Sequence, residues 1–283
     1  MLKTQNKKSA NEEPKELEQE EKKRNGIKIL NYSIWRILAY FIIFSAIGVV
    51  IETIFGATTK GVIESRRCFL YGPFSCIYGT GGVAFTLLLQ YFKKNNITLF
   101  LGGFVIGSII EYVISFGAEH ILHVKWWDYS DMPFNINGRI CLYFSLFWGL
   151  LAVFLIRVIN PEIDKAINFI KKKVNIKILK GIIVATIIFM FFDSFATGVA
   201  LKMFHVRMEK EYNLELKYSE NENSIYAKLY ENEQVRNVID KCFSNKKILK
   251  TFPNLKLIQK NGKVIWVKDI LTDIQPYYFK IGL

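Results

Sequence analysis

The chain opens polar and then turns apolar in blocks. Residues 1–33 are charged, mixed in sign and poor in aromatics, a pattern that cannot support a packed core. Apolar runs follow at about residues 37–56, 74–92, 97–119, 140–160 and 179–202. Each reaches or approaches the ~20 residues needed to cross a ~30 Å hydrocarbon core. Beyond about residue 205 the hydropathy falls. There "LKLIQKNGKVIWVKDI" forms two alternating runs around Asn261-Gly262, the pair favoured in a type I′ hairpin turn. The preceding "SNKKILKTFPN" predicts a short helix ended before Pro253. The pattern predicts an all-α integral membrane bundle of about five transmembrane helices, with a small C-terminal α+β extramembrane domain. Its divisions are a disordered charged cytoplasmic tail (1–33), a polytopic transmembrane domain (34–204), and an extramembrane domain (205–283) with a β-hairpin near 255–270. No internal repeat is visible.

Composition agrees with a bilayer environment: 51% of the 283 residues are hydrophobic and mean hydropathy is positive. The net charge of +13 could suggest nucleic acid. In a membrane chain it is better explained by topology, since lysine and arginine collect in cytoplasmic segments. No nucleic-acid partner is therefore expected. The tail carries eight basic residues up to Lys28. Lys93 and Lys94 occupy the second loop; Lys165, Lys171, Lys172, Lys173 and Lys177 occupy the fourth, after Arg157. The first loop holds Lys60, Arg66 and Arg67, and the third Lys125 and Arg139. This alternation puts the N-terminus in the cytoplasm and the C-terminus outside, in a bacterial cell membrane. The tail matches a signal peptide poorly, because its basic residues do not lead directly into an apolar core.

"PEIDKAINFIKKKVN" places apolar residues at 163, 166, 167, 170 and 174, which is helical spacing with a lysine-rich opposite face. It predicts an amphipathic helix on the inner membrane surface; the alternative is a docking helix for a cytoplasmic partner. The cysteines at 68, 76, 141 and 242 make no CxxC pair and no disulfide framework.

Four ionisable residues lie inside the runs: Glu52, Glu111, Glu119 and Asp193. Such residues are costly in lipid and face a bundle interior or a wet cavity. Ser45, Gly48 and Glu52 share a helix face by their spacing. So do Gly107, Glu111, Ser115 and Glu119; so do Thr186, Asp193 and Thr197. The second run offers Ser75, Tyr78, Gly82, Thr86 and Gln90, and the fourth Cys141, Ser145 and Trp148. Every predicted span thus has one small or polar face, which predicts a bundle with those faces inward. With the orientation above, Glu52, Glu111 and Glu119 lie in the outer halves of their spans. Arg66, Arg67, Trp126, Trp127, Asp128, Asp131, Asn135, Asn137 and Arg139 lie in the outer loops, so acids and bases gather at one face.

Structural readings stand beside this one. "GFVIG" at 103–107 is a small-xxx-small helix contact, Trp126 and Trp127 fit an interfacial aromatic belt, and Arg139 can snorkel from a span end. Glu119, His120 and His123 put only part of a ligand set on one face, so no metal site is expected. No cofactor is expected either.

At "RRCFLYGPFSCIYGTGG", "EYVISFGAEH" and "WWDYSDMPFNINGRICLYFSLFWG" the sequence resembles the bacterial putative ABC-transporter type IV (CmpB-like) membrane family. The resemblance spans about residues 37–160. It implies importance for Glu52, Arg67, Tyr71, Gly72, Pro73, Tyr78, Gly79, Glu111 and Glu119. It also picks out Trp127, Asp128, Tyr129, Asn135, Asn137, Gly138 and Arg139. The chain departs from the family pattern at Val49, Cys68 and Cys76.

Three function classes remain open. One is a permease-type transport subunit, compatible with a homodimer and with a separate cytoplasmic ATPase; no G-x-x-x-x-G-K-[ST] loop occurs, so the chain does not itself supply that ATPase. The second is a lipid or cell-envelope enzyme using Glu111 or Glu52 as base and Arg139 or Arg67 to hold an anionic head group. No serine or cysteine nucleophile with a base signature is visible, and the sequence leans away from an enzyme. The third is a scaffold or sensor without transport activity. No catalytic role is assigned to any residue.

Overall fold

The architecture is taken from a computed structural model, which describes residues 28–218 and 224–281. The expected disordered tail lies outside the described residues up to residue 27. The fold is mostly helical. Among the described residues four helical segments are long and apolar enough to cross a membrane: Ile34–Lys60, Asn96–Leu122, Leu142–Lys173 and Ile176–Tyr212. The segment Cys76–Phe92 is apolar but shorter. Its α-helical part and closing 3₁₀ turn together span about 27 Å, close to the ~30 Å hydrocarbon thickness. The chain is an integral membrane protein.

Helix α1 (Ile34–Lys60) starts at Ser33, whose hydroxyl accepts the Arg36 N–H, and stops at Gly61 in the left-handed region. Glycine is favoured there because it has no Cβ to clash. Helix α2 (Cys76–Leu88) runs back against α1 and ends in the 3₁₀ turn Leu89–Phe92. Their approach depends on small residues: a side chain at Gly48 would collide with Tyr78, and one at Gly82 with Phe44.

Helix α3 (Asn96–Gly117) is extended by a π-helical turn, Ala118–Leu122. It packs along α4 (Leu142–Phe154). Gly103 meets Ala152 and Gly107 meets Trp148; the small pair expected at 103–107 is a helix contact. Between α3 and α4, the loop 123–141 folds on itself rather than extending.

The fourth span continues through a π-helical turn, Leu155–Ile159, into α5 (Asn160–Lys173). Pro161 falls in the first turn of α5, where its missing N–H leaves no bond unmade. Ile163 and Ile167 are buried, whereas Lys171, Lys172 and Lys173 are exposed. Asp164 pairs with Arg36 and Tyr40, which fastens α5 to the start of α1.

Helix α6 (Ile176–Tyr212) is much longer than the expected span. At about 55 Å it exceeds the hydrocarbon core by some 25 Å. The surplus supplies Ala200, Leu201, Phe204 and Met208 to a separate apolar core with Ile248, Leu249, Phe252 and Leu255. Leu70 and Val124, from the loops after α1 and α3, join the same core.

The rest of this C-terminal part is small. Helices α7 (Ile225–Glu231), α8 (Glu233–Cys242) and α9 (Asn245–Thr251) precede a hairpin of β4 (Lys256–Ile258) and β5 (Val264–Trp266). Helix α9 ends before Pro253, as its sequence predicts. The hairpin turn differs from the expected type I′. Gly262 N–H bonds Gln259 C=O at 2.8 Å, and of the turn residues only Gly262 has positive φ, 83°. A type I turn followed by left-handed glycine gives a longer loop, with Asn261 Oδ1 accepting the Lys263 N–H. The short helix α10 (Val267–Ile270) follows.

The earlier strands β1 (Lys28–Ile29) and β2 (Tyr32–Ser33) pair before α1. The strand β3 (Val62–Ile63) pairs antiparallel with β6 (Phe279–Lys280) near the chain's other end. A further bridge joins Lys125 to Lys256. The C-terminal part is therefore stitched to both loops at one end of the bundle.

Candidate functional site

At that end the inward faces of α1, α2, α3 and α4 meet. Glu111 is 3% exposed. One of its oxygens accepts from Tyr129 Oη at 2.9 Å and the other from Trp148 Nε1 at 2.9 Å. Tyr129 comes from the loop 123–141 and stacks on Phe144, 4.7 Å between ring centres. Across the same space Tyr78 Oη donates to Glu52 Oε1 at 2.9 Å. The second Glu52 oxygen faces Arg66 Nη1 at 3.7 Å. A cavity of about 200 Å³ lies among Glu52, Tyr78, Glu111, Trp127, Tyr129 and Trp148.

A second cavity, of about 290 Å³, shares Glu52, Tyr78, Trp127, Tyr129 and Phe144 with the first. Its other walls set two arginines among mostly apolar side chains. Ser65, Arg66 and Arg67 supply one side, the start of α2 another, and residues 251–254 the roof. Arg66 also bonds Glu64 at 2.7 Å, and Lys60 bonds the same carboxylate at 2.9 Å. Gly56 makes this possible, because any side chain there would occupy the guanidinium's place. Arg67 instead donates to the Tyr71 carbonyl at 3.0 Å and to Thr251 at 3.4 Å.

Several donors on this wall are unsatisfied. Ser65 Oγ, Arg66 Nε, Arg67 Nε and Trp126 Nε1 are buried without a hydrogen-bond partner among the described residues. A buried donor left unpaired costs about 1–3 kcal/mol. Four such groups sit packed behind one cavity wall, and an acceptor in the cavity reaches them only when these side chains shift.

The remaining expected residues fall into separate constellations. Glu119, 5% exposed, accepts from Arg139 at 2.6 Å and from Tyr218 Oη at 2.9 Å. The Arg139 guanidinium also lies over the Tyr112 and Phe116 rings, 5.5 Å from each centre. Glu119 and Arg139 thus form a buried tie between α3, its following loop and the C-terminal part.

Asp193 accepts the backbone N–H groups of Tyr71 and Gly72, the latter at 2.6 Å. Thr197 Oγ1 accepts the neighbouring Leu70 N–H at 2.9 Å. Both α6 side chains hold the loop before α2. The Tyr71 ring is outside the cavities, with Lys247 Nζ 4.2 Å from its centre.

Asp128 and Asn135 shape their own loop. Asp128 accepts from Ser130 N and Oγ, while Asn135 donates to the carbonyls of Ser130 and Met132 and accepts the Gly138 N–H. Asn137 and Gly138 take positive φ, 54° and 65°, and Asn137 reaches Tyr112 Oη at 2.9 Å. Trp127 Nε1 bonds the Arg139 carbonyl at 2.9 Å. This loop therefore folds so as to aim Tyr129 at Glu111 and Arg139 at Glu119.

A model of the family described as putative ABC-transporter type IV (CmpB) matches residues 39–198. The chain belongs to this family. The match takes in the walls that both cavities draw from residues 52–148 and stops within α6, so the roof at residues 251–254 lies beyond it. No curated protein and no solved structure matches the chain.

For this family member, sequence reasoning marked Glu52, Tyr78, Glu111, Trp127, Tyr129 and Arg67, which do line the cavities. It passed over Glu64, although "ESRR" places that acid beside two arginines. Tyr218 and Thr251 carried no local signal. They reach the site only because the chain returns to it after α6. Among the described residues no group of three or more metal-ligating side chains is assembled.

Proposed function

We propose that this family member is the membrane subunit of a transport system, and that its substrate site is the paired cavity bounded by Glu52, Tyr78, Glu111, Tyr129 and Arg67. The observation that carries the reading is a paired cavity inside the bundle that gathers Glu52, Tyr78, Glu111, Tyr129 and Arg67 among mostly apolar walls, one half of it roofed by residues 251–254. Intramembrane carboxylates are costly, and placement around a cavity is characteristic of binding sites in transporters. A cavity at one end of a bundle, roofed on one side by residues 251–254, also fits a carrier whose roof moves to load or release substrate.

Both Glu111 oxygens accept hydrogen bonds, from Tyr129 and Trp148, which anchors this carboxylate at the cavity wall. Glu119 and Arg139, by contrast, suit an assembly tie rather than a substrate contact.

In this proposal the N-terminus is cytoplasmic and the roof is extracytoplasmic, as the lysine-rich inner loops favour. Energy comes from a separate cytoplasmic ATPase, with the exposed basic face of α5 as its contact; a homodimer would double that contact. The host membrane is the bacterial cell membrane.

The test compares cells lacking the protein with cells carrying wild type or Glu52→Gln, by untargeted mass spectrometry of extracts, envelope lipids and medium. A compound redistributed by deletion, restored by wild type, and restored at least about ten-fold less well by a stably expressed Glu52→Gln supports transport. Full restoration by Glu52→Gln would remove the cavity from the account.

A further inference from the structure

The cavity's basic wall is built for an acceptor. Lys60, Arg66 and Arg67 stand against Glu52 and Glu64. Glu64 neutralises one of the first two cations and Glu52 faces the other, so the uncompensated positive charge is that of Arg67. Among the described residues Arg67 meets no carboxylate; its contacts are one carbonyl and one hydroxyl. Four buried donors nearby, Ser65 Oγ, Arg66 Nε, Arg67 Nε and Trp126 Nε1, have no acceptor among the described residues. Ser65 itself is 8% exposed.

The start of α2 faces the same space. Ser75, Cys76, Ile77 and Tyr78 line it, the Ser75 side chain caps no amide, and the first turn carries no acid. The Cys76 N–H is taken by Cys68 Sγ at 2.8 Å, and the partial positive charge of the helix N-terminus still favours an anion. Arginine forks, an indole N–H and an N-terminal turn together suit a phosphate or carboxylate.

A third feature decides between a water-soluble anion and a lipid. A groove of about 510 Å³ runs between α3 and α6 and shares Cys68, Cys76, Ile114 and Trp126 with the basic cavity. Among the described residues lining it none is charged. Ile121 and Phe191 on its rim are 67% and 68% exposed on the bundle's apolar outer surface. The basic cavity and the apolar groove thus meet at Trp126.

We infer that the cavity takes an anionic amphiphile, with the phosphate or carboxylate head at Arg67, Trp126 and the start of α2 and the hydrocarbon chain in the groove between α3 and α6. This rests on the cavity being the substrate site and names the class of molecule it binds. The substrate of the transport system is then a membrane-resident anionic lipid rather than a solute drawn from water.

Native mass spectrometry of the full chain in detergent tests this, with phosphatidylglycerol, phosphatidylcholine and inorganic phosphate as separate probes. Wild type should bind one phosphatidylglycerol at least about ten-fold more tightly than phosphatidylcholine. Arg67→Gln should abolish that preference, and Arg67→Lys, which keeps charge but not the fork, should retain part of it. Gly198→Leu addresses the chain instead: Gly198 lines the groove, and a Cβ there meets only Leu122 at 3.7 Å. It should weaken phosphatidylglycerol several-fold and leave the basic cavity intact.

Equal binding of the two lipids by wild type, an unchanged preference in Arg67→Gln, or an unchanged phosphatidylglycerol affinity in Gly198→Leu would overturn the inference. Arg67-dependent binding of inorganic phosphate without lipid preference would also overturn it, while leaving the cavity as a substrate site for a soluble anion. Binding of no probe by a normally melting wild type would overturn both. Thermal melting of each variant separates a lost site from a lost fold.

Discussion

Tyr129 donates its hydroxyl to Glu111 at 2.9 Å across 18 positions of sequence, from the loop 123–141 into the core of the bundle. The contact is what makes loop 123–141 part of the site rather than a cover over it. Removing the donor leaves a buried carboxylate oxygen unpaired, which costs about 1–3 kcal/mol. Tyr129→Phe should therefore lower the melting temperature in detergent while retaining the Phe144 stack. In a double-mutant cycle with Glu111→Gln the coupling should exceed about 0.5 kcal/mol. Additive losses would show that the two side chains act independently.

Glu119 and Arg139 predict a different signature. Arg139 is the buried cation at 2.6 Å, whereas Lys217 is half-exposed and 3.6 Å away. Truncating one partner of a buried pair typically costs about 3–5 kcal/mol, since the other charge is left uncompensated. Arg139→Ala should fall near the lower end, because Tyr218 and Lys217 still reach Glu119. The double variant Glu119→Gln/Arg139→Met should be the more stable of the two by unfolding assay. If Arg139→Ala melts like wild type, the tie is not structural.

Much of this arrangement is legible from periodicity. Hydrocarbon demands long apolar runs, so the spans appear as runs, and Glu52, Glu111 and Glu119 stand out as exceptions within them. The stripe containing Gly107 and Glu111 correctly faces inward, because the same spacing that creates the stripe creates the helix face. Partners far along the chain leave no such trace. Tyr218 meets Glu119 across 99 positions and Asp193 meets Gly72 across 121. The length of α6 was hidden for another reason. Hydropathy drops near residue 205 while the helix continues, because Arg207 is buried in the C-terminal part against Asp240. A polar residue that leaves the membrane reads as the end of a span, whether or not it ends the helix.

Asp193 provides a local test of that long-range order. Its carboxylate accepts two adjacent amides, and Asn would offer one oxygen where two now act. Asp193→Asn should raise amide exchange at Tyr71 and Gly72 by about ten-fold or more, equivalent to roughly 1.4 kcal/mol. Exchange in α3 and α4 should stay as in wild type. Unchanged protection at Gly72 would mean that the loop holds its shape without α6.

The C-terminal part should respond to pH through Lys256. Burial lowers its pKa; Asp128 opposes this, and Lys125, Lys60 and Lys268 add to it. Its ammonium lies over the Trp266 ring at 4.2 Å. Because the folded pKa lies below the unfolded one, the unfolded chain binds more protons in the interval between them. Stability contributed at this residue therefore rises with pH across that interval, and the penalty is fully present below it. Lys256→Met keeps an apolar stem over Trp266 and removes the penalty. It should raise the melting temperature at neutral pH, and the gain should shrink as pH approaches about 10. A gain that stays constant over that range would assign the effect to packing, and a loss at neutral pH would show that the ammonium–ring contact outweighs the burial of the charge.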